Sequence, residues 1–225
     1  MILKGDFRPG QRISELPLSA RLNVSRTPLR LALDRLCNEG LLQPWPTGGF
    51  VVREFTLADI WDAIEVRGVL EGTAARLAAE RLENANDVKA LRECCRRIDD
   101  IVPVTAERFS PYLELNESFH AELKRLSKSP MVIEALDRIC TFPFAAPGAL
   151  VLGGAESAHL EVSEIAQEHH RVIVEAIENR EGTRAEAVAR EHSRLARKNL
   201  VWALQDKERL GSMRGASLIR MPQTE

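Results

Sequence analysis

Three of the five histidines sit where an imidazole could do chemistry. His120 follows Asn116 by four residues within a stripe set by Leu113, Phe119 and Leu123, so the carboxamide and the imidazole lie one turn apart on one helix face. His170 recurs with Ile173, Val174 and Ile177, and His192 with Val188, Leu195 and Ala196, again at helical spacing. Three helices thus each turn an imidazole toward a shared apolar interior. Histidine is the commonest protein ligand for transition metals, and an i, i+4 pair joined by single ligands from neighbouring helices can close around one ion. A buried histidine satisfied by a hydrogen bond gives the same pattern, and the spacing leaves both readings open. His169 points about 100° away from its neighbour His170 and is set aside.

A second constellation lies in residues 24–42, VSRTPLRLALDRLCNEGLL. Ser25 can cap a helix there, Pro28 is tolerated in a first turn whose amides have no intrahelical acceptor, and Gly40 suits the residue past the end. Leu29, Leu33 and Leu36 face a core, whereas Arg26, Thr27 and Arg30 project together from the opposite side near the amino end. Arginine grips guanine or phosphate and threonine meets a base edge or a thymine methyl, so such a tip fits the DNA major groove. A solvated basic face is the plainer alternative.

The flanks favour the groove. Upstream, PGQRISELPLSARLN predicts a turn at Pro9-Gly10 and a short helix ending near Leu22, giving two helices joined by a few residues. Downstream, LLQPWPTGGFVVREF predicts two short strands around Pro46-Thr47-Gly48-Gly49. A helix-turn-helix followed by a hairpin is a winged helix. Thr56 and Asp59 then form a capping-box start to a long helix reaching about Glu83, and further helices are expected from Asn86 to before Pro103, Ser110 to Ser127, Ser129 to Thr141, Glu161 to Asn179 and Thr183 to Lys207. The fold expected is mainly α: a winged helix-turn-helix over 1–55, an all-α bundle of about six helices over 56–207, and a mobile tail over 208–225. Residues 141–157, broken by prolines and glycines, read as irregular.

Composition agrees. The chain has 225 residues and a formal charge of -2, yet residues 1–55 carry 8 Lys/Arg against 5 Asp/Glu and the remainder 23 against 28. No apolar run approaches the roughly 18 residues of a membrane span and no cleavable signal opens the chain, so a cytoplasmic address is expected and no membrane partner. Cys37, Cys94, Cys95 and Cys140 lack CxxC spacing and read as reduced packing thiols.

PGQRISE, LNVSRTPLRLALDRLCNEGLL and GGFVV together resemble the amino-terminal module of the GntR family of bacterial transcription regulators. The resemblance makes Ser25, Arg26, Thr27 and Arg30 the DNA-facing residues and puts Gly48 and Gly49 at the wing tip, beside the minor groove. It also implies that most of the family's first helix is missing ahead of MILKGDFRPG, and that the wing, with Thr47-Gly48-Gly49 where relatives often have a basic residue, makes weak backbone-only contacts. WDAIEVRGVLEGTAARLAAE, NESFHAEL, EHHRVIVEAI and AVAREHSRLA resemble, in order, segments of the FCD ligand-binding domain of the FadR-like branch. That likeness implies a site for a divalent transition metal, zinc or nickel, formed by Asn116, His120, His170 and His192, with the neutral Asn116 standing at the acidic position and lowering affinity. It also places Arg67 on the first bundle helix facing the cavity, as a partner for a small carboxylate effector; a surface ion pair with Glu71, four residues on, is the equal alternative. The function expected is a homodimeric, metabolite-controlled regulator that binds a palindromic double-stranded operator. A metal-dependent hydrolase is the contrasting reading, disfavoured because no HExxH occurs and Glu117 is expected to face away from the site; a regulator that binds its effector without metal is the third.

Overall fold

The computed structural model describes residues 1–142, 144–149, 157–213 and 215–221. After a short 3-10 turn at Ile2–Lys4 come strand β1 (Arg12–Ile13), helices α1 (Glu15–Leu22) and α2 (Arg26–Asn38), and strands β2 (Leu42–Pro44) and β3 (Phe50–Val52). The sheet is antiparallel in the order β1-β3-β2, with Ile13 opposite Phe50 and Leu42 opposite Val52. β1 is a third strand beyond the expected hairpin, and its two residues are too few to show a period.

α2 is delimited as its sequence predicts. Ser25 takes the N-cap position in extended backbone, though its hydroxyl makes no capping bond. At the other end the Leu41 amide donates to the Leu36 carbonyl and the Gly40 amide to that of Cys37, the paired bonds of a Schellman ending, with Gly40 at φ 72°.

Six helices follow: α3 (Leu57–Glu80), α4 (Lys89–Asp99), α5 (Phe109–Leu126), α6 (Pro130–Cys140), α7 (Ser157–Glu178) and α8 (Gly182–Leu204). The capping box at α3 forms, the Thr56 hydroxyl accepting from the Asp59 amide and the Asp59 carboxylate from that of Thr56. Expected boundaries hold to within three or four residues, the widest difference being the start of α7 at Ser157 rather than Glu161. α3 and α8 approach closely because α3 presents Gly72 there: a Cβ at Gly72 would lie 2.6 Å from Cγ of Arg190 and 3.0 Å from the Glu186 carbonyl oxygen. Among the described residues no helix is long and apolar enough to cross a membrane. The described part of the expected irregular segment is turn, and its remainder lies outside the described residues.

The described residues of the expected tail include α9 (Lys207–Ser212) and a 3-10 turn at Ala216–Leu218, then a parallel pairing with the connector, Ile219 opposite Phe55. The Phe55 amide donates to the Leu218 carbonyl at 2.9 Å and the Arg220 amide to that of Phe55 at 2.8 Å. Met213, Leu218 and Ile219 lack helical spacing, but they find an apolar seat between the two modules, where burial stabilises them without regular periodicity. That seat belongs to one core running from Leu29 and Leu33 of α2 through Phe55 to Ile60, Ile64 and Leu200. The turn after α6 closes it. Phe144 meets Phe55 edge-on at 6.0 Å, and the Phe142 ring lies against Gly40, with the Arg53 guanidinium over both Phe55 and Phe142.

Gly40 therefore carries two constraints, a left-handed backbone and the Phe142 ring, which lies 2.6 Å from where a Cβ would stand. Gly10 has the same φ of 72° with nothing within 4 Å. Denaturant unfolding should show Gly10→Ala costing about 1 kcal/mol and Gly40→Ala about 3 kcal/mol, backbone strain plus overpacking. Equal losses would contradict the packing of Phe142 on the winged helix.

Candidate DNA-reading face and metal centre

α5, α7 and α8 bring His120, His170 and His192 together, with one nitrogen of each within 4.8 Å of the others. For His170 the hydrogen bonds fix which nitrogen is free. The Gln167 amide nitrogen donates to the Cys95 carbonyl and the Asp99 carboxylate, so its oxygen, 3.0 Å from His170 Nδ1, must accept from that ring. The His170 lone pair is then on Nε2, a buried atom without a hydrogen-bond partner among the described residues. His120 Nδ1 lies 3.0 Å from the Glu71 carboxylate, and its Nε2 faces His192 Nε2 at 3.3 Å. Phe119 supports the His170 ring at 4.0 Å between centroids.

These donors fit a divalent ion. Two nitrogens each about 2.05 Å from a tetrahedral ion stand roughly 3.3 Å apart, the separation found between His120 and His192. Burial, and then the neighbouring histidines, push His170 and His192 well below the ordinary imidazole range, so both are neutral and have a lone pair to give. A carboxylate or amide behind each of two rings is the outer-shell arrangement that orients histidine ligands. Asn116 is buried on the same face, one turn before His120, with its amide nitrogen beside Gly148.

Glu71 and Arg67 are each only 4% exposed. Burial would raise the Glu71 pKa, but the His120 imidazole and the Arg67 guanidinium outweigh it and, with the Ser193 hydroxyl donating at 2.6 Å, hold the carboxyl well below its usual range. Arg67 donates through Nη2 to the Ser193 carbonyl at 3.2 Å, and its Nε is 3.9 Å from Glu71. The pair sits inside the bundle, not on the surface. A pocket of about 190 Å³ adjoins it, lined by Glu71, His120, Glu117, Lys124, Asp137 and Cys140. Glu117, expected to face away, is exposed yet borders this pocket, whereas Arg67 does not line it.

Sequence reasoning missed Glu71 as a partner of His120, and missed Gln167 and Ser193 altogether. A signal existed for two of them: Arg67 and Glu71 continue the buried stripe of Ile60 and Ile64 at helical spacing, and Gln167 precedes His170 by one turn.

At the other end of the molecule Ser25, Arg26, Thr27 and Arg30 are all exposed at the start of α2, opposite the buried Leu29 and Leu33. Glu15 of α1 lies 3.9 Å from Arg26 and 4.0 Å from Arg30, while the two guanidinium side chains stay 64% and 68% exposed. Gly48 and Gly49 form the reversal between β2 and β3 with φ of 95° and 85°, and a Cβ on Gly49 would collide with the Ile13 carbonyl oxygen at 2.7 Å.

Residues 62–195 match the FCD domain family, and residues 1–52 match the gntR family of bacterial regulatory proteins. The Nta operon transcriptional regulator of Aminobacter aminovorans is 37% identical over 139 residues, covering 62% of this chain and 64% of its own length. The transcriptional repressor RspR of Escherichia coli is 23% identical over 191 residues, 82% of this chain and 77% of its own. Among solved structures, E. coli McbR/YncC superposes with a TM-score of 0.60 at 21% identity, over 91% of this chain and 92% of that one, a likeness of fold. These families and named relatives are regulators and not enzymes. With one match spanning the winged helix and the other more than half of the chain, this protein belongs to the gntR family of bacterial regulatory proteins and carries an FCD domain.

Proposed function

We propose that the chain is a transcription regulator that binds a palindromic operator as a homodimer and is controlled by a small carboxylate metabolite taken up in the helical domain. The observation that carries this reading is the exposed tip of α2, where Ser25, Arg26, Thr27 and Arg30 share one face and Glu15 restrains both guanidiniums without covering them. Entering the major groove with that tip leaves Gly48 and Gly49 of the wing beside the minor groove. Two copies would address half-sites about 34 Å apart.

The sensor in this reading is the histidine cluster. His120, His170 and His192 would hold a divalent ion such as zinc or nickel, with Asn116 as a neutral fourth ligand, and the ion would supply an open position for a carboxylate oxygen. Arg67 adds a buried Nε–H that has no hydrogen-bond partner among the described residues, a donor that a second carboxylate oxygen would satisfy. Coupling to DNA would pass through the turn after α6: Cys140 lines the pocket, while Phe142 and Phe144 bear on Gly40 and Phe55. The name of the Aminobacter relative, an operon transcriptional regulator, supports control of an operon.

Fluorescence anisotropy on a duplex enriched from a random library by the wild-type protein tests the first part. Arg30→Ala should weaken binding about 10- to 100-fold with the thermal midpoint unchanged; a wild-type protein that retains no duplex, or an Arg30→Ala variant that binds as well, would contradict it. Competition against a chromophoric chelator tests the second. Zinc should bind the wild-type protein, be lost in His170→Ala, and weaken about tenfold or more in Glu71→Gln. Absence of zinc binding in the wild type would leave the histidines to contact the effector directly.

A further inference from the structure

The wing tip, Thr47-Gly48-Gly49, has no cation of its own, but the fold delivers one from a distant part of the sequence. Arg12, on the outer face of β1 opposite the buried Ile13, donates through Nη2 to the Gly48 carbonyl at 2.9 Å and to the Thr47 hydroxyl at 3.3 Å. Its guanidinium also lies over the half-exposed Trp45 ring, 5.8 Å from the centroid. Three contacts thus hold a long side chain to a turn whose glycines could not position one. No carboxylate pairs with Arg12 among the described residues, whereas Arg26 and Arg30 both approach Glu15. Arg12 is an exposed residue, so its delocalised cation stays open to a partner.

Placement adds to this. Gly49 packs on the Ile13 carbonyl, and Glu15, two residues further along, reaches Arg26 and Arg30, so β1 joins the wing tip to the amino end of α2. We infer that Arg12 is the wing's contact with duplex DNA, a cation fixed at the wing tip that meets the phosphates and edge of the minor groove flanking the major groove addressed by α2. This differs from the expectation of a wing limited to backbone contacts, and it rests on the DNA-binding reading above. A guanidinium tied down in this way loses little side-chain freedom on binding, which separates it from a free surface arginine.

The test uses the full chain and the duplex that it enriches from a random library, with affinity measured across a salt series. Arg12→Gln keeps an amide able to donate to the turn but removes the charge; Arg12→Lys keeps the charge. Arg12→Gln should bind about tenfold more weakly, with a slope of log affinity against log salt that is shallower by about one for each wing engaged, and Arg12→Lys should retain most of both. A role confined to holding the turn would lower the thermal midpoint of Arg12→Gln and leave the salt slope unchanged. If Arg12→Gln matches wild type in affinity and slope while Arg30→Ala is impaired, this inference falls and the DNA-binding reading stands. Failure of the wild-type protein to retain any duplex overturns both.

Discussion

Phe55 is where the two halves of this molecule become one. It lies in the short connector between the wing and α3, buried, with its amide and carbonyl bonded to Leu218 and Arg220 of the returning C-terminal segment and its ring met edge-on by Phe144. Burying a phenylalanine side chain is worth about 1.5–3 kcal/mol. The larger consequence is geometric: the core around Phe55 contains residues of α2, α3, α8, the tail and the turn after α6, so the winged helix cannot tilt against the bundle without opening apolar surface to water. A flexible linker would leave the two modules independent. Here any displacement of the α6 turn is felt at Gly40, which ends the helix that carries Arg26 and Arg30, and at Phe55, which shares a core with its Leu29 and Leu33.

The polar interior of the bundle obeys a comparable constraint. Glu71 and Arg67 are both withdrawn from water, an arrangement that is costly unless each charge is paired and hydrogen-bonded. The Ser193 hydroxyl and carbonyl, Arg67 and His120 meet that demand around the carboxylate, and Asp99 with the Cys95 carbonyl does the same around Gln167. One end of each network terminates on a histidine Nδ1. His170 therefore turns its Nε2 lone pair inward, toward His192, and His120 Nε2 faces the same ring.

Much of this was legible in the sequence, because it depends on local rules. Helical period and caps located α2 through α8, Thr56 and Asp59 announced their capping box, and Gly40 announced its left-handed ending. The histidines were found because each falls on an apolar stripe. What the sequence hid depends on contacts between distant segments. Nothing near His120 in the chain names Glu71 as its partner, β1 is too short to show alternation, and Arg12 gains its meaning only from Gly48, far along the sequence. Met213, Leu218 and Ile219 are buried in a seat built by other elements, which leaves no periodic trace in their own spacing.

If the histidine centre and the DNA face are linked through the core around Phe55, that linkage is reciprocal. The most direct measurement closes the cycle: duplex affinity of the wild-type protein with saturating zinc and with chelator, set beside zinc affinity with and without saturating duplex. The two ratios should differ from unity and equal one another, at about 5-fold or more. Duplex and zinc each binding with an affinity indifferent to the other would contradict it.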